Sequence, residues 1–190
     1  MEGLFDEARG LHRRGRRIFE ELGHTVGVAG STTVSGPIEL LAGNPVAAER
    51  DLRAGYETFE AMGETGILST LAALLAEAVL AQGRDAEAEE LTRTSEENST
   101  EEDAASQIAW RAVRAVALSR RGNAAEAEGL AREAVTLAAE TDFLAMHADT
   151  LVALGQVLLT SGDAGGSEDC ATEAARLYEA KGMRLRPGRG

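Results

Sequence analysis

Leu4, Ala8, Leu11, Gly15, Ile18 and Leu22 follow alternating steps of four and three, which gathers them into one apolar stripe of a helix. Arg9, Arg13, Arg16 and Glu20 fall on the opposite face. The same period predicts helices over about 46–62, 65–82, 85–97, 103–121, 124–140, 143–161 and 164–181. One stretch departs from it. Residues 23–36 combine Gly23, Gly27, Gly30 and Gly36 with Val26, Val28, Thr32, Thr33 and Val34, a mixture that locally favours strand or loop.

A longer register resolves that conflict. Glycine recurs at positions 3, 43, 83, 122 and 162, at intervals of 40, 40, 39 and 40. Five residues after these glycines stand Ala8, Ala48, Ala88, Ala127 and Ser167, and six after stand Arg9, Glu49, Glu89, Glu128 and Glu168. Twelve after stand Gly15, Gly55, Ser95, Ala134 and Ala174, and seven before the last four stand Gly36, Ala76, Ala115 and Gly155. This predicts antiparallel helix pairs, helix A before each glycine and helix B after it, with the glycine in the turn where positive φ costs it little. Small residues seven before and five after are expected where the two helices cross, and the residue twelve after is expected to face the next pair. Segment 23–36 then becomes helix A of its repeat. It is expected to be the weakest helix, with Pro37 kinking or dividing it. The fold class is all-α, a solenoid of antiparallel helix pairs with a period of about 40 and about nine helices.

Composition narrows the function classes. With 44% apolar and 27% charged residues the chain is expected to fold, and 4% aromatics beside abundant Ala, Leu and Glu speaks against an all-β fold. A net charge of −13 repels phosphate backbones and anionic lipid, so neither nucleic acid nor membrane is an expected partner. Arg9, Arg13, Arg14, Arg16 and Arg17 make the one local basic patch, but five acids within the first 22 residues balance them. Glu2, Asp6 and Glu7 stand where a signal peptide would be basic, no apolar run is long enough to span a bilayer, and Cys170 has no second cysteine to pair with. A cytoplasmic location is expected.

The turn glycine, the small residues around it, and lines such as Leu154-Gly155 followed by Leu158 and Gly162 resemble the tetratricopeptide repeat over nearly the whole chain. The unit of that family is about 34 residues, so the period here implies longer helices, and HEAT-type repeats fit the length as well. More narrowly, Leu40-Leu41-Ala42-Gly43-Asn44-Pro45, Ala47 to Tyr56, Leu68 to Ala78, Gln107 to Ala115 and Arg132-Glu133-Ala134-Val135 resemble the C-terminal helical tail of actinobacterial-type class III adenylate/guanylate cyclase and ATPase signalling regulators. The resemblance implies a right-handed superhelix serving interaction or regulation, not the cyclase reaction. No Gly-x-x-x-x-Gly-Lys-Ser/Thr occurs, and Lys181 is the single lysine. Residues 1–182 are expected to form one tetratricopeptide-like repeat domain that looks cut at both ends, followed by a flexible Arg/Gly tail at 183–190. Uncapped ends of that kind allow self-association.

Candidate chemistry is sparse. His12, His24 and His147 lie on separate helices or repeat positions with no partner at metal-ligand spacing, so neither metal nor cofactor is expected. Ser99-Thr100-Glu101-Glu102-Asp103 reads as a capping box, and Gly162-Asp163-Ala164-Gly165-Gly166-Ser167 reads as a turn, since no strand precedes it as a phosphate loop requires. Cys170, beside Glu168 and Asp169, is expected to be an inert packed thiol. Nine acids against Arg93 alone across residues 85–103 form an acidic face that serves solubility or meets a basic partner. No nucleophile, base and metal can be assembled, so a non-enzymatic role is expected. If helix A lines the concave side, as the resemblance implies, the positions thirteen, ten, six and three before each turn glycine line a groove of small and apolar residues. Thr70, Glu77, Asp149 and Gln156 are its polar points, and Trp110 lies beside it. The expected function is a non-catalytic protein-interaction or regulatory scaffold module, holding a protein, a peptide or the neighbouring domains of a larger parent. The alternative is a small-molecule sensor with its ligand in the groove.

Overall fold

In the computed structural model, which describes residues 2–183, the chain is all-helical: ten α-helices and, among the described residues, no strand. They are α1 (Glu2–Glu21), α2 (Thr25–Gly30), α3 (Thr32–Leu41), α4 (Pro45–Met62), α5 (Thr65–Leu80), α6 (Asp85–Asn98), α7 (Ala104–Arg120), α8 (Ala124–Ala139), α9 (Leu144–Thr160) and α10 (Ala164–Ala180). The tail from 184 onward lies outside the described residues. The chain divides after Thr100 into two compact units. In the first, α1 rests on α2 and α3, α3 packs on α4, α4 on α5, and α5 on α6. In the second, α7 packs on α8 and α9, α8 on α9, and α9 on α10.

The turns follow the glycine register and refine it. Gly43, Gly83, Gly122 and Gly162 all have positive φ, between +77° and +93°. So do Gly23, Gly63 and Gly182, at +65°, +66° and +77°. The half-period of 20 therefore carries glycines too: Gly23 and Gly63 close helix B and admit the next helix A, where a side chain would strain the left-handed backbone.

The region of conflicting propensity is helical but divided. The expected division at Pro37 is corrected: the break lies at Ser31, and Pro37 sits inside α3. Ser31, Thr32 and Thr33 donate their hydroxyls to the carbonyls of Val28, Ala29 and Gly30, at 2.7, 2.6 and 2.8 Å. Three consecutive hydroxyls compete for carbonyls that backbone amides would otherwise take, and the helix breaks there.

Small residues set the spacing between helices. A Cβ on Gly155 would lie 3.4 Å from the carbonyl oxygen of Ser167, so positions seven before and five after the turn do meet where α9 crosses α10. At one of the positions twelve after, the expectation is corrected: Gly55 on α4 faces Thr32 and Ala29 of its own pair rather than the following one. On α8, Ala127, Ala131, Ala134 and Ala138 form a fully buried seam. The larger core side chains are Leu52, Phe59, Leu71, Leu75 and Val79 in the first unit and Ile108 and Val157 in the second. Each contributes about 1.5–3 kcal/mol by leaving water.

Candidate interaction surfaces

The polar points expected in a groove fall on separate helices. In the first unit, Thr70 and Glu77 lie two turns apart on α5, Thr70 half-buried and Glu77 exposed. Ala73 and Leu80, from the same line of positions, turn into the core. In the second unit the equivalent line on α7 is largely closed, since Ala109 and Ala112 are half-buried and Val116 and Ser119 are buried. The line on α9 is open. Asp149, Gln156 and Leu159 are exposed and Val152 half-buried, at steps of three, four and three along one face. Leu159 is 61% exposed, which leaves an apolar side chain one turn from the Gln156 amide. Asp149 accepts a hydrogen bond from the Tyr178 hydroxyl on α10, which fixes its carboxylate at the rim of the helix pair.

Trp110 is 3% exposed and belongs to the core of α7 rather than to an open surface. Two guanidinium groups lie over its ring, Arg111 at 4.1 Å and Arg114 at 4.3 Å from the ring centroid, a doubled cation–π contact. Its indole N–H donates to Gln107 Oε1 at 3.2 Å. Arg111 reaches on to Glu133 of α8 at 3.2 Å, so this cluster ties α7 to α8.

A charged pattern beyond the glutamate spacing runs along the B helices. Three of the four glutamates six after the turn glycine pair with an arginine four residues later: Glu49 with Arg53 at 2.6 Å, Glu89 with Arg93, and Glu128 with Arg132 at 2.8 Å. Its signal in the sequence is an arginine ten after the glycine. In the first unit this pair grows into a network, because Glu49 also accepts from Arg84 at 2.7 Å and from Gln82 at 2.7 Å, while Glu87 accepts from Arg53 at 2.8 Å and Arg84 at 2.5 Å. Burial pushes the Glu49 carboxyl up, but the bonds from Arg53, Arg84 and Gln82 outweigh it and hold the group at about 2. Arg9 of α1 clasps Glu39 of α3 at 2.7 and 2.8 Å, and that hydrogen bonding holds the Glu39 carboxyl below its usual range against the effect of burial. Part of the acidic face over 85–103 is thus internally neutralised, through Glu87 and Glu89.

The remaining candidates have local roles. His24 caps α2, its Nδ1 accepting from the Gly27 amide at 2.8 Å, and His12 Nε2 lies 3.0 Å from the Ser31 carbonyl oxygen. The capping box expected from Ser99 and Thr100 is corrected: Asp103 caps α7 by accepting from the Ser106 amide at 3.1 Å, and Ser99 Oγ instead donates to the Glu96 carbonyl at 3.2 Å. Asp163 caps α10 by accepting from Gly166 at 2.9 Å, which makes the glycine-rich stretch a turn and cap. Cys170 is buried, and burial first, with the charges of Asp169 and Asp163 beside it, raises its thiol pKa against the opposing pull of Arg132. Among the described residues no group of three or more His, Cys, Asp or Glu converges as a metal site, and no helix is long and apolar enough to cross a membrane. Two surface depressions, one at Gly43 to Ala47 with Arg50 and one between Arg111 and Arg132, are open to solvent.

No protein-family model matches the chain, and no curated protein matches it in sequence. Solved structures do. BtubC (BKLC) from P. vanneervenii is similar with a TM-score of 0.67 at 18% identity, over 100% of this chain and 79% of that one. A Podospora anserina putative kinesin light chain with nearly identical TPR-like repeats is similar with a TM-score of 0.61 at 17% identity, over 97% of this chain and 91% of that one. At these identities the likeness is one of fold, and the fold is tetratricopeptide-like.

Proposed function

We propose that this chain is a non-catalytic interaction module whose helix-A faces hold a protein or peptide partner. The observation that carries the reading is the open line on α9, where Asp149, Val152, Gln156 and Leu159 offer apolar contact with two polar anchors at helical spacing. Such a face suits an amphipathic helix or a short apolar segment with a donor group to meet Asp149. Thr70 and Glu77 give α5 a comparable, narrower face in the first unit. The unbroken 39–40-residue register across position 100 supports treating residues 1–182 as one repeat domain.

The finer reading places the module in a bacterial signalling or transcription-regulatory protein of the cytoplasm, with neighbouring domains of that protein among its partners. It rests on the resemblance of Leu40 to Tyr56 and Leu68 to Ala78 to the helical tails of class III cyclase-type regulators, and the lone Cys170 fits a reducing compartment. The test is affinity capture from lysate of the host organism, with the wild-type chain and a Gln156→Arg, Leu159→Asp variant as baits. Both side chains are exposed, so circular dichroism should be unchanged. A protein recovered by the wild type and lost by the folded variant is expected. Equal recovery by both baits, or none by either, would overturn the assignment of this face.

A further inference from the structure

We propose that a second copy of this chain docks antiparallel along α1. The apolar stripe of that helix does not face its own unit. Leu11 is 56% exposed, Ile18 57% and Leu22 74%, with Gly15 exposed between them. The helix is held by its other side, where Arg9 clasps Glu39, His12 approaches the Ser31 carbonyl, and the Phe19 ring packs on His24 with centroids 5.6 Å apart. The stripe alternates by four and three, the spacing of a coiled-coil seam, and a Cβ on Gly15 would meet nothing within 4 Å. Room therefore remains for a large side chain from outside.

Charge selects the occupant and its register. Along the free edge of the stripe stand Glu7, Arg14 and Glu21, seven residues apart and exposed, and none of the three makes an ion pair among the described residues. In an antiparallel pair this edge meets its own copy. The register of longest overlap sets Arg14 against Arg14 and Glu7 against Glu21, like charge on like. Sliding by one heptad sets Arg14 against Glu21 of the second copy, twice by symmetry. It also sets Gly15 against the second copy's Ile18 and Leu11 against its Leu22, a small residue receiving a large one at the centre and two large ones meeting at each end. The opposite slide pairs Arg14 with Glu7 but leaves both Ile18 and Leu22 in water, whereas the favoured register leaves Leu4 alone of the large stripe residues uncovered. The structure thus favours one register on charge and apolar coverage together.

An overlap of about 12 residues is only about 18 Å long. It covers less than the ~800 Å² per partner of a standard interface, so the dimer is weak and reversible. Sedimentation velocity of the full chain from about 10 µM to 1 mM reads it directly. The wild type is expected to show a monomer–dimer equilibrium, and Leu22→Glu to remain monomeric with an unchanged thermal melt, as does the milder Leu22→Gln. Arg14→Glu and Glu21→Arg should each weaken the dimer by about fivefold, and the double reversal should restore it to within about twofold of the wild type. A chain that stays monomeric to 1 mM overturns the proposal. So does a dimer indifferent to both Leu22 variants, or a double reversal no tighter than the single ones.

Discussion

Gly55 on α4 lies so close to Thr32 on α3 that a methyl group in its place would collide with the Thr32 hydroxyl oxygen and come within 2.9 Å of the Ala29 carbonyl oxygen. The second of these is backbone and cannot swing aside. Gly55→Ala is therefore expected to lose about 1–3 kcal/mol through overpacking, although alanine is the better helix former. Gly129, inside α8 with nothing within 4 Å of where a methyl would stand, supplies the control: Gly129→Ala should gain about 0.5–1 kcal/mol. Urea denaturation with an unchanged m-value would show the opposite signs. A gain at both sites would mean that α4 and α3 do not touch at this glycine.

The same pair of residues marks where sequence reading ends. The glycine at 55 was legible as a small position of the repeat, but which helix it faces depends on packing, and it turned out to face backward to Thr32. Helix existence and turn glycines were readable because both follow from local chemistry: apolar steps of three and four, and positive φ. The half-step glycines at 23, 63 and 182 were readable in principle but have no counterparts in the turns at Glu102 and Asp142, so the full period stood out first. Pro37 misled because the rule for proline ignores the three hydroxyls that break the helix earlier, at Ser31. Of the candidate site, helical spacing puts Asp149 and Gln156 on one face of α9, while the choice of that face came from the tetratricopeptide resemblance. Trp110 was ambiguous at that level, because whether an aromatic on a helix faces the core or the surface is decided by tertiary packing, which here buries it.

The Glu49 carboxylate should give stability a defined acid limb. Its folded value of about 2 lies below the ordinary 4.5, so the folded state binds fewer protons than the unfolded chain between those values. The stabilisation is fully present above about pH 4.5 and is lost as pH falls toward 2. Arg53 and Arg84 are partly exposed, so solvent screening reduces the contribution to on the order of 1–2 kcal/mol. Glu49→Gln should be less stable by that amount at pH 7, and the gap to the wild type should narrow as pH is lowered from 4.5. A gap independent of pH would assign the loss to packing instead of charge.

Burial of Trp110 under Arg111 and Arg114 makes it a poor probe of binding and a good one of folding. Trp110→Ala should cost about 3–5 kcal/mol. Trp110→Phe keeps a ring against the guanidinium groups but gives up the hydrogen bond to Gln107, and should cost less than half as much. As the single tryptophan, it should emit at shorter wavelength in the native chain than in urea. Native emission already matching that of the unfolded chain would contradict its burial.

Asp149 holds two roles that substitution can separate. Its carboxylate accepts the Tyr178 hydroxyl, a charge-assisted bond between α9 and α10, and it also stands on the exposed line with Gln156 and Leu159. Asp149→Ala and Tyr178→Phe should each lose about 1–2 kcal/mol, and the two losses should not add, with a coupling of about 1 kcal/mol in a double-mutant cycle. Asp149→Asn keeps an acceptor for Tyr178 and should stay within about 0.5 kcal/mol of the wild type. If Asp149 also meets a partner's cationic or donor group, the Asn variant should lose capture of that partner while keeping its stability. Losses of capture that track losses of stability across the three variants would instead confine Asp149 to holding the two helices together.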